Sequence, residues 1–298
     1  MLDYHRLKAT RFEEIAQTYD ADATILYALG VGAGLGGEGG LGDETEFLYE
    51  EVLRALPTQA SVLAYPGFWM RSPEHGVAWQ QVVHGEQRMR FPSPLTAAGQ
   101  VRCQMAVSRV ADKGEGKGAI VVTRRILSDS ITQMPVAIIE QTNVCRGDGG
   151  YAGGDPALSD VLPPPIPSPP AREPDRTVRV PTSAQQAALY RLNADRNPLH
   201  IDPAAARRAG YDRPILHGAA LLGLVDRVLQ HELQQHPNHR LGELDMRFRA
   251  PLFPGETVAV ALWRTPCGVI FRCRCEQDQR DLATGSASWI QMEHHDAR

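Results

Sequence analysis

The chain reads as an α+β protein assembled from two related halves. Three observations lead to that class. A proline run, Leu162-Pro163-Pro164-Pro165-Ile166-Pro167-Ser168-Pro169-Pro170, interrupts the sequence near its middle. Short strings recur on either side of it. The second half reads as a helix followed by four strand-like runs separated by turn signals.

Proline fixes φ and cannot donate to a helix or a sheet ladder, so the run favours an extended, semi-rigid connector. It divides the 298 residues into 1–160, a linker at 161–175, and 176–298. Across this break Met89-Arg90-Phe91-Pro92-Ser93-Pro94-Leu95 reappears as Met246-Arg247-Phe248-Arg249-Ala250-Pro251-Leu252. Gly99 and Gly255 follow the two copies, each ahead of a Val-containing strand. Tyr27-Ala28-Leu29 likewise matches Tyr190-Arg191-Leu192. Carried forward, that register sets Gly32 opposite Asp195, Gly34 opposite Asn197 and Gly37 opposite His200. A duplication in which the first copy lost its polar cluster accounts for the pattern.

In the first half, residues 43–56 carry an acidic start that suits a helix N-terminus and predict a short helix. Between Tyr65 and Val83, Pro66, Gly67, Pro73 and Gly76 break any helical face. In the second half, Ser183 is a plausible N-cap for a helical stretch running toward Leu192. A longer helix is predicted from Gly218 to Leu233, where Leu221, Leu222, Val225 and Leu229 recur at helical spacing. Strands are predicted at 244–249, 257–264, 268–276 and 283–291. Pro254-Gly255, Pro266-Cys267-Gly268 and Asp278 to Asp281 mark the turns between them. A helix laid on one face of an antiparallel meander is an α+β arrangement.

Composition narrows the class. Hydrophobic residues make up 43% and charged residues 22%, values of a globular protein with a sizeable core. A net charge of −4 and a pI near 6.2 argue against general nucleic-acid binding. The N-terminus lacks the charged-then-apolar pattern of a signal peptide, and no apolar run approaches bilayer-spanning length. Five cysteines without a Cys-x-x-Cys indicate neither a disulfide framework nor a zinc knuckle. Cys273 and Cys275 would share one face of a strand. A reducing, cytoplasmic setting fits these thiols. Gly32-Ala33-Gly34-Leu35-Gly36-Gly37 matches the dinucleotide fingerprint, yet no buried strand precedes it and no suitable helix follows.

The chemistry concentrates in Asp195-Arg196-Asn197-Pro198-Leu199-His200-Ile201-Asp202-Pro203, followed by Pro214-Ile215-Leu216-His217-Gly218. Asp195 and His200 are two proton-handling groups that could share one water, with Asn197 orienting it. Their five-residue spacing is neither helical nor strand-like, so a turn at Asn197-Pro198 must bring them together. Gly218, at the start of the apolar helix, allows close approach of a substrate to a backbone N–H where negative charge develops. Asp202 is expected to cap the next helix. His217 reads as a packing or hydrogen-bonding residue near a substrate. The separation of Asp195, His200 and His217 fits no standard metal motif, and no metal is expected.

This pair of strings closely resembles the hydratase 2 motif of the MaoC-like (R)-specific 2-enoyl-CoA hydratases. His84-Gly85-Glu86-Gln87 and Pro254-Gly255-Glu256 are similar to further features of double hot-dog members. The resemblance implies a double hot-dog fold, each repeat a curved antiparallel sheet wrapped around a helix. It also implies that the first repeat has lost most of its central helix, which opens space for the acyl chain. By the same likeness Asp195 and His200 are the catalytic acid/base pair, Asn197 positions the water or the pair, and the Gly218 N–H is an oxyanion donor. The expected reaction is reversible hydration of trans-2-enoyl-CoA to (R)-3-hydroxyacyl-CoA, a hydro-lyase chemistry. It uses no cofactor beyond the coenzyme A of the substrate.

Arg213, Arg247 and Arg249, with Arg207 and Arg208, are candidates for the coenzyme A phosphates. Arg249 ranks first because it stands where the first copy has Pro92. Phe68, Trp69, Met70 and Trp79 are candidates to narrow the acyl pocket. A hot-dog thioesterase and a non-catalytic acyl-thioester binding subunit are the competing readings. The Asp-x-Asn-Pro-Leu-His order favours hydration over the first. The retention of both Asp195 and His200 counts against the second. The partners expected are the acyl-CoA substrate and a second copy in a homodimer, with no nucleic acid and no membrane.

Overall fold

The computed structural model describes residues 2–35 and 41–292. The first half contains α1 (Tyr4–Ala9), β1 (Ile15–Tyr19), α2 (Ala21–Gly30), β2 (Val82–Arg90), β3 (Gly99–Asp112), β4 (Ala119–Asp129) and β5 (Pro135–Cys145). The second contains β6 (Arg176–Pro181), α3 (Gln186–Tyr190), α4 (Pro203–Arg208), α5 (Gly218–Leu233), β7 (His239–Phe248), β8 (Thr257–Thr265), β9 (Gly268–Cys275) and β10 (Asp281–Gln291).

All ten strands form one sheet in the order β1-β3-β4-β5-β2-β7-β10-β9-β8-β6. Read outward from the β2–β7 seam, the two halves run in the same order. The duplication legible in the sequence is therefore a pseudo-twofold in space. Since Met89 matches Met246, Arg88 matches Asp245, and the antiparallel seam sets Arg88 directly opposite Asp245. The axis thus passes through a pair of repeat-equivalent residues. It also passes between Tyr27 of α2 and Tyr190 of α3, equivalent residues whose ring centroids lie 6.1 Å apart.

Helix α5 runs through the centre. Its residues from Ala220 to Gln230 are all buried, on every side of the helix, as befits a helix enclosed by the core rather than lying on it. One side faces the second half's sheet. The other meets α2, and Gly223 makes that crossing possible, because a Cβ there would come within 2.3 Å of Val31. Asp226 and Arg227 are buried in the same helix. Asp226 accepts hydrogen bonds from the N–H and hydroxyl of Thr58, at 3.0 and 2.7 Å. Arg227 makes a two-pronged ion pair with Glu44, both bonds at 2.7 Å, and donates to the Val31 carbonyl. The helix of the second half is thus fastened to two loops of the first.

The first half departs from the second where the sequence predicts it. Residues 57–81 form only short 3-10 turns, at Pro57–Ser61, Trp69–Arg71, Pro73–His75 and Trp79–Gln81. Among the described residues no α-helix covers this half's sheet as α5 covers the other.

Three expectations need correction. Residues 43–56 form two 3-10 turns, Thr45–Phe47 and Glu50–Val52, rather than one helix. Glu44 is drawn inward to Arg227 and the Asp43 carboxylate takes the Thr45 N–H, so local bonding and a tertiary ion pair override the helical pattern. Ser183 does not cap with its hydroxyl. Its N–H is taken by the Gln186 side chain, and the helix is confined to Gln186–Tyr190. Strand β7 begins earlier than expected, at His239, because it pairs with β10 as far as Gln291.

The remaining features follow the sequence. The helix from Gly218 to Leu233 is present, and Cys273 and Cys275 are both buried on β9. In the glycine-rich loop, a Cβ at Gly32 would meet Arg227 and Gln186 at 3.0–3.2 Å, so the protein's own side chains fill the space a phosphate would need. Gly36 and Gly37 lie outside the described residues.

Breaking one partner of a buried ion pair leaves an uncompensated charge and costs about 3–5 kcal/mol. Glu44→Gln and Arg227→Met should each lower stability by that order in denaturant unfolding, and the double variant Glu44→Gln/Arg227→Met should recover part of the loss. Single variants indistinguishable from the parent would show that α5 is held by apolar packing alone.

Candidate active site

The segment from Asp195 to Asp202 is shaped by short polar side chains turned back onto its own backbone. Asp195 Oδ1 accepts the Asn197 N–H at 3.0 Å, and Asn197 Oδ1 accepts the Leu199 N–H at 3.1 Å. Asn197 thereby caps the 3-10 turn Pro198–His200. Asp202 accepts the Ala204 N–H at 2.8 Å and caps α4, as expected. These Asx turns convert the awkward five-residue spacing into convergence. Asn197 is itself exposed, so what it visibly does is set the turn that carries His200.

A second segment, Ile215 to Gly218, completes the cluster. His200 Nδ1 lies 2.9 Å from the Ile215 carbonyl, which can only accept, so Nδ1 carries the proton. The other nitrogen, Nε2, is left with a lone pair and stands 3.9 Å from Asp195 Oδ2. That gap is too long for a direct hydrogen bond and suits a bridging water. His217 Nε2 donates to the Asp195 carbonyl at 3.0 Å. The two imidazoles stack, with centroids 3.5 Å apart and planes 23° from parallel. His217 therefore braces the pair.

Burial governs the electrostatics. It pushes the His200 imidazole below its ordinary value, opposed by the Ile215 carbonyl and the Asp195 carboxylate. His217 is pushed down to about 3, by burial first and then by the neighbouring His200. Both rings are neutral at physiological pH, which permits the stack. Tyr65 of the first half is held above its ordinary value, by burial and then by the Asp195 charge, while Arg125 pulls it back. The first half's loop therefore reaches the second half's site.

Gly218 opens α5, and the first N–H groups of a helix have no intrahelical acceptor. A Cβ on Gly218 would come within 3.3 Å of the Phe248 ring. Phe248 packs in turn at a tilt against His84, with centroids 4.6 Å apart. His84 stands half-buried at a β-bulge in β2, and desolvation of its ring pushes it down to about 4.

Asp195, His200 and His217 present ligand atoms within 4.8 Å of one another, a convergence that sequence spacing did not reveal. Near-parallel stacked rings aim their in-plane lone pairs side by side rather than at one point, so tetrahedral coordination would require the stack to open.

The predicted arginines are dispersed. Arg247 is paired with Glu86 across the seam. Arg213 lies over the Phe253 ring and donates to the Pro254 carbonyl. Arg249 is exposed and has no side-chain hydrogen bond or ion pair among the described residues. Met70 is buried, while Phe68 and Trp69 border a small cavity with Tyr65 and Arg125. Trp79 packs edge-on against Phe68. Sequence reasoning missed Tyr65 and Arg125. The one signal was the run Val121-Val122-Thr123-Arg124-Arg125-Ile126-Leu127: strand alternation obliges one of two adjacent arginines to face inward.

Residues 165–285 match the family model described as a MaoC like domain, and residues 17–147 match the MFE-2 hydratase 2 N-terminal domain. The chain is 39% identical over 251 residues to 3-hydroxyacyl-thioester dehydratase Y of Mycobacterium tuberculosis, covering 84% of this chain and 83% of that protein. The chain belongs to the MaoC-like hydratase 2 family. Membership brings with it the hydro-lyase class, and the double hot-dog fold expected from the motif is the one observed. This family member is also 32% identical over 285 residues to the peroxisomal multifunctional enzyme type 2 of Drosophila melanogaster, covering 92% of this chain and 46% of that longer one. A solved MaoC-like dehydratase from Phytophthora capsici superposes with a TM-score of 0.81 at 27% identity, covering 98% of this chain and 100% of that one.

A histidine whose folded-state pKa lies below its ordinary 6.5 stays neutral, and able to accept a proton, further into the acid range. Activity that depends on His200 should hold level through neutral pH and fall only on acidification below that value. A pH profile of kcat/KM for hydration checks this. An acid limb centred above 6.5 would exclude His200 as a base of lowered pKa.

Proposed function

We propose that this protein adds water reversibly to trans-2-enoyl-CoA, giving (R)-3-hydroxyacyl-CoA. The observation that carries the reading is the 3.9 Å gap between His200 Nε2 and Asp195 Oδ2 beside the start of α5. The (R) label rests on the family. So does coenzyme A as the carrier.

A water in that gap donates one hydrogen bond to Asp195. His200 Nε2 takes its other proton as the oxygen bonds to C3 of the substrate. The electron pair of the double bond moves toward the thioester oxygen, where the Gly218 N–H and the α5 dipole meet the developing charge. The enolate then collapses, and its α-carbon receives the proton from His200. Dehydration is the reverse. Asn197 and His217 act by holding the pair in place.

In this reading residues 176–298 supply the catalysis, residues 1–160 shape the acyl pocket, and 161–175 link them. Of the predicted arginines, Arg249 and Arg213 remain the ones to meet the coenzyme A phosphates. Arg247 would first have to release Glu86. No described helix is long and apolar enough to cross a membrane. Five free thiols suit a reducing compartment such as the cytoplasm. A homodimer of the fused chain is the proposed assembly.

Loss of the conjugated enoyl-thioester absorbance tests the reaction, with crotonyl-CoA and longer substrates. Wild type should hydrate. Asp195→Asn and His200→Ala should each lose about 10²–10⁴-fold in kcat while staying folded by circular dichroism. Release of free thiol in place of hydration would replace this reading with the thioesterase.

A further inference from the structure

The sheet face that α5 covers in the second half is apolar. Val269, Phe271 and Cys273 of β9 and Ala283 and Ala287 of β10 all join the main core there. The repeat-equivalent strands of the first half, β4 and β5, carry a different surface. Leu127, Ala137 and Ile139 belong to the main core, and Val121 and Cys145 to a second apolar cluster. Between the two clusters lies a polar belt of Thr123, Arg125, Gln141 and Asn143, lining one cavity. The register pairs Thr123 with Gln141 and Val121 with Asn143, so the belt occupies one face of adjacent strands.

Arg125 is the unusual member. Its side chain is buried, with the residue only 3% exposed. One guanidinium nitrogen donates to the Ser61 carbonyl at 2.9 Å, and the Tyr65 ring lies 5.2 Å from its centre. The other, Nη1, has no partner. Among the described residues no carboxylate pairs with it. Burial accordingly pushes its pKa down. Among the described residues the other buried arginine, Arg227, is matched by Glu44, whereas the buried Asp226 is held by hydrogen bonds from Thr58 and Gln230. A buried cation without a counter-ion is costly and is ordinarily paired. The cavity it faces is small, about 10 Å³, so a carboxylate on a chain end would enter only as the lining loop from Tyr65 to Met70 gives way. Tyr65 forms its wall, and Asn143 of the belt pairs in the sheet with His84, whose ring lies 4.6 Å from Phe248, the ring that faces Gly218, so the belt runs up to the start of α5.

We propose that this belt is a recognition site for a carboxylate at the far end of the acyl chain, with Arg125 as its counter-ion. The substrate class is then an enoyl-CoA bearing a terminal carboxylate, not a plain fatty enoyl-CoA. Gln141 and Asn143, joined by a 3.0 Å hydrogen bond, would supply further polar contacts. The inference rests on the hydration proposed above for its reaction, but not for its binding.

Two measurements separate the two. In the first, kcat/KM for hydration is compared across trans-2-enoyl-CoAs of matched length ending in methyl or carboxylate. Wild type should favour the carboxylate by about 100-fold at the best length, mostly through KM, a ratio of the kind a built polar site gives. Arg125→Met should abolish the preference while retaining turnover of the methyl series, and Arg125→Lys should keep part of it. In the second, calorimetric binding of saturated acyl-CoAs with the same two ends needs no turnover. Tighter binding of the carboxylate series, lost in Arg125→Met, supports the site even if no hydration is seen, an outcome that would sink the reaction alone. Equal handling of both ends by wild type in both measurements overturns the site. So does an equal loss on both series in Arg125→Met, which would make Arg125 a structural brace for Ser61 and Tyr65.

Discussion

The burial of α5 between the two halves is the constraint on which the rest depends. A helix enclosed on all sides leaves no choice about where its N-terminus points, and that N-terminus carries Gly218. Its position is fixed by two kinds of contact. Apolar residues meet the second half's sheet. Asp226 and Arg227 reach loops of the first half, through Thr58 and Glu44. Gly223 sets the distance of approach to α2. With α5 in place, Ile215 and His217 just ahead of it are placed too. These are the residues that hold the His200 tautomer and the Asp195 carbonyl. The N-terminus of α5 and the Asp195–His200 pair therefore share one support.

The first half does the complementary thing by leaving the equivalent helix out. Short turns between Pro57 and Gln81 stand where a second central helix would lie. The space is not simply apolar. It keeps a strip of polar side chains between two apolar clusters, and a loop from it brings Tyr65 under the influence of Asp195. One half thus provides rigidity and the other a shaped interior.

Much of this was legible in the sequence, for identifiable reasons. The repeat could be read because Met-Arg-Phe and Tyr-x-Leu strings survive at equivalent positions, and the seam register follows from them. The extent of α5 could be read because apolar residues at helical spacing begin at a glycine. The motif was legible because its polar residues are close in sequence. What failed depended on partners far away. The 43–56 segment has a helical pattern, but Glu44 is claimed by Arg227, 183 residues on. The convergence of His217 with Asp195 and His200 is created by a turn no spacing rule encodes. Arg125 and Tyr65 lie in the other half from the motif, and only an inward-facing arginine in an apolar strand hinted at them.

The single continuous sheet has a consequence for how such a site can change over time. When two identical one-repeat chains pair, every substitution appears twice, once on each side of the axis. A change that improves the acyl side in one place then harms the catalytic side in the other. Joining the copies through the proline-rich segment lifts that linkage. Arg88 and Asp245, equivalent by descent and facing each other across the axis, already carry opposite charges. No symmetric pair of chains could place unlike residues there. Fusion lets the two copies diverge independently, and here the Asp195–His200–His217 cluster stands in the second copy.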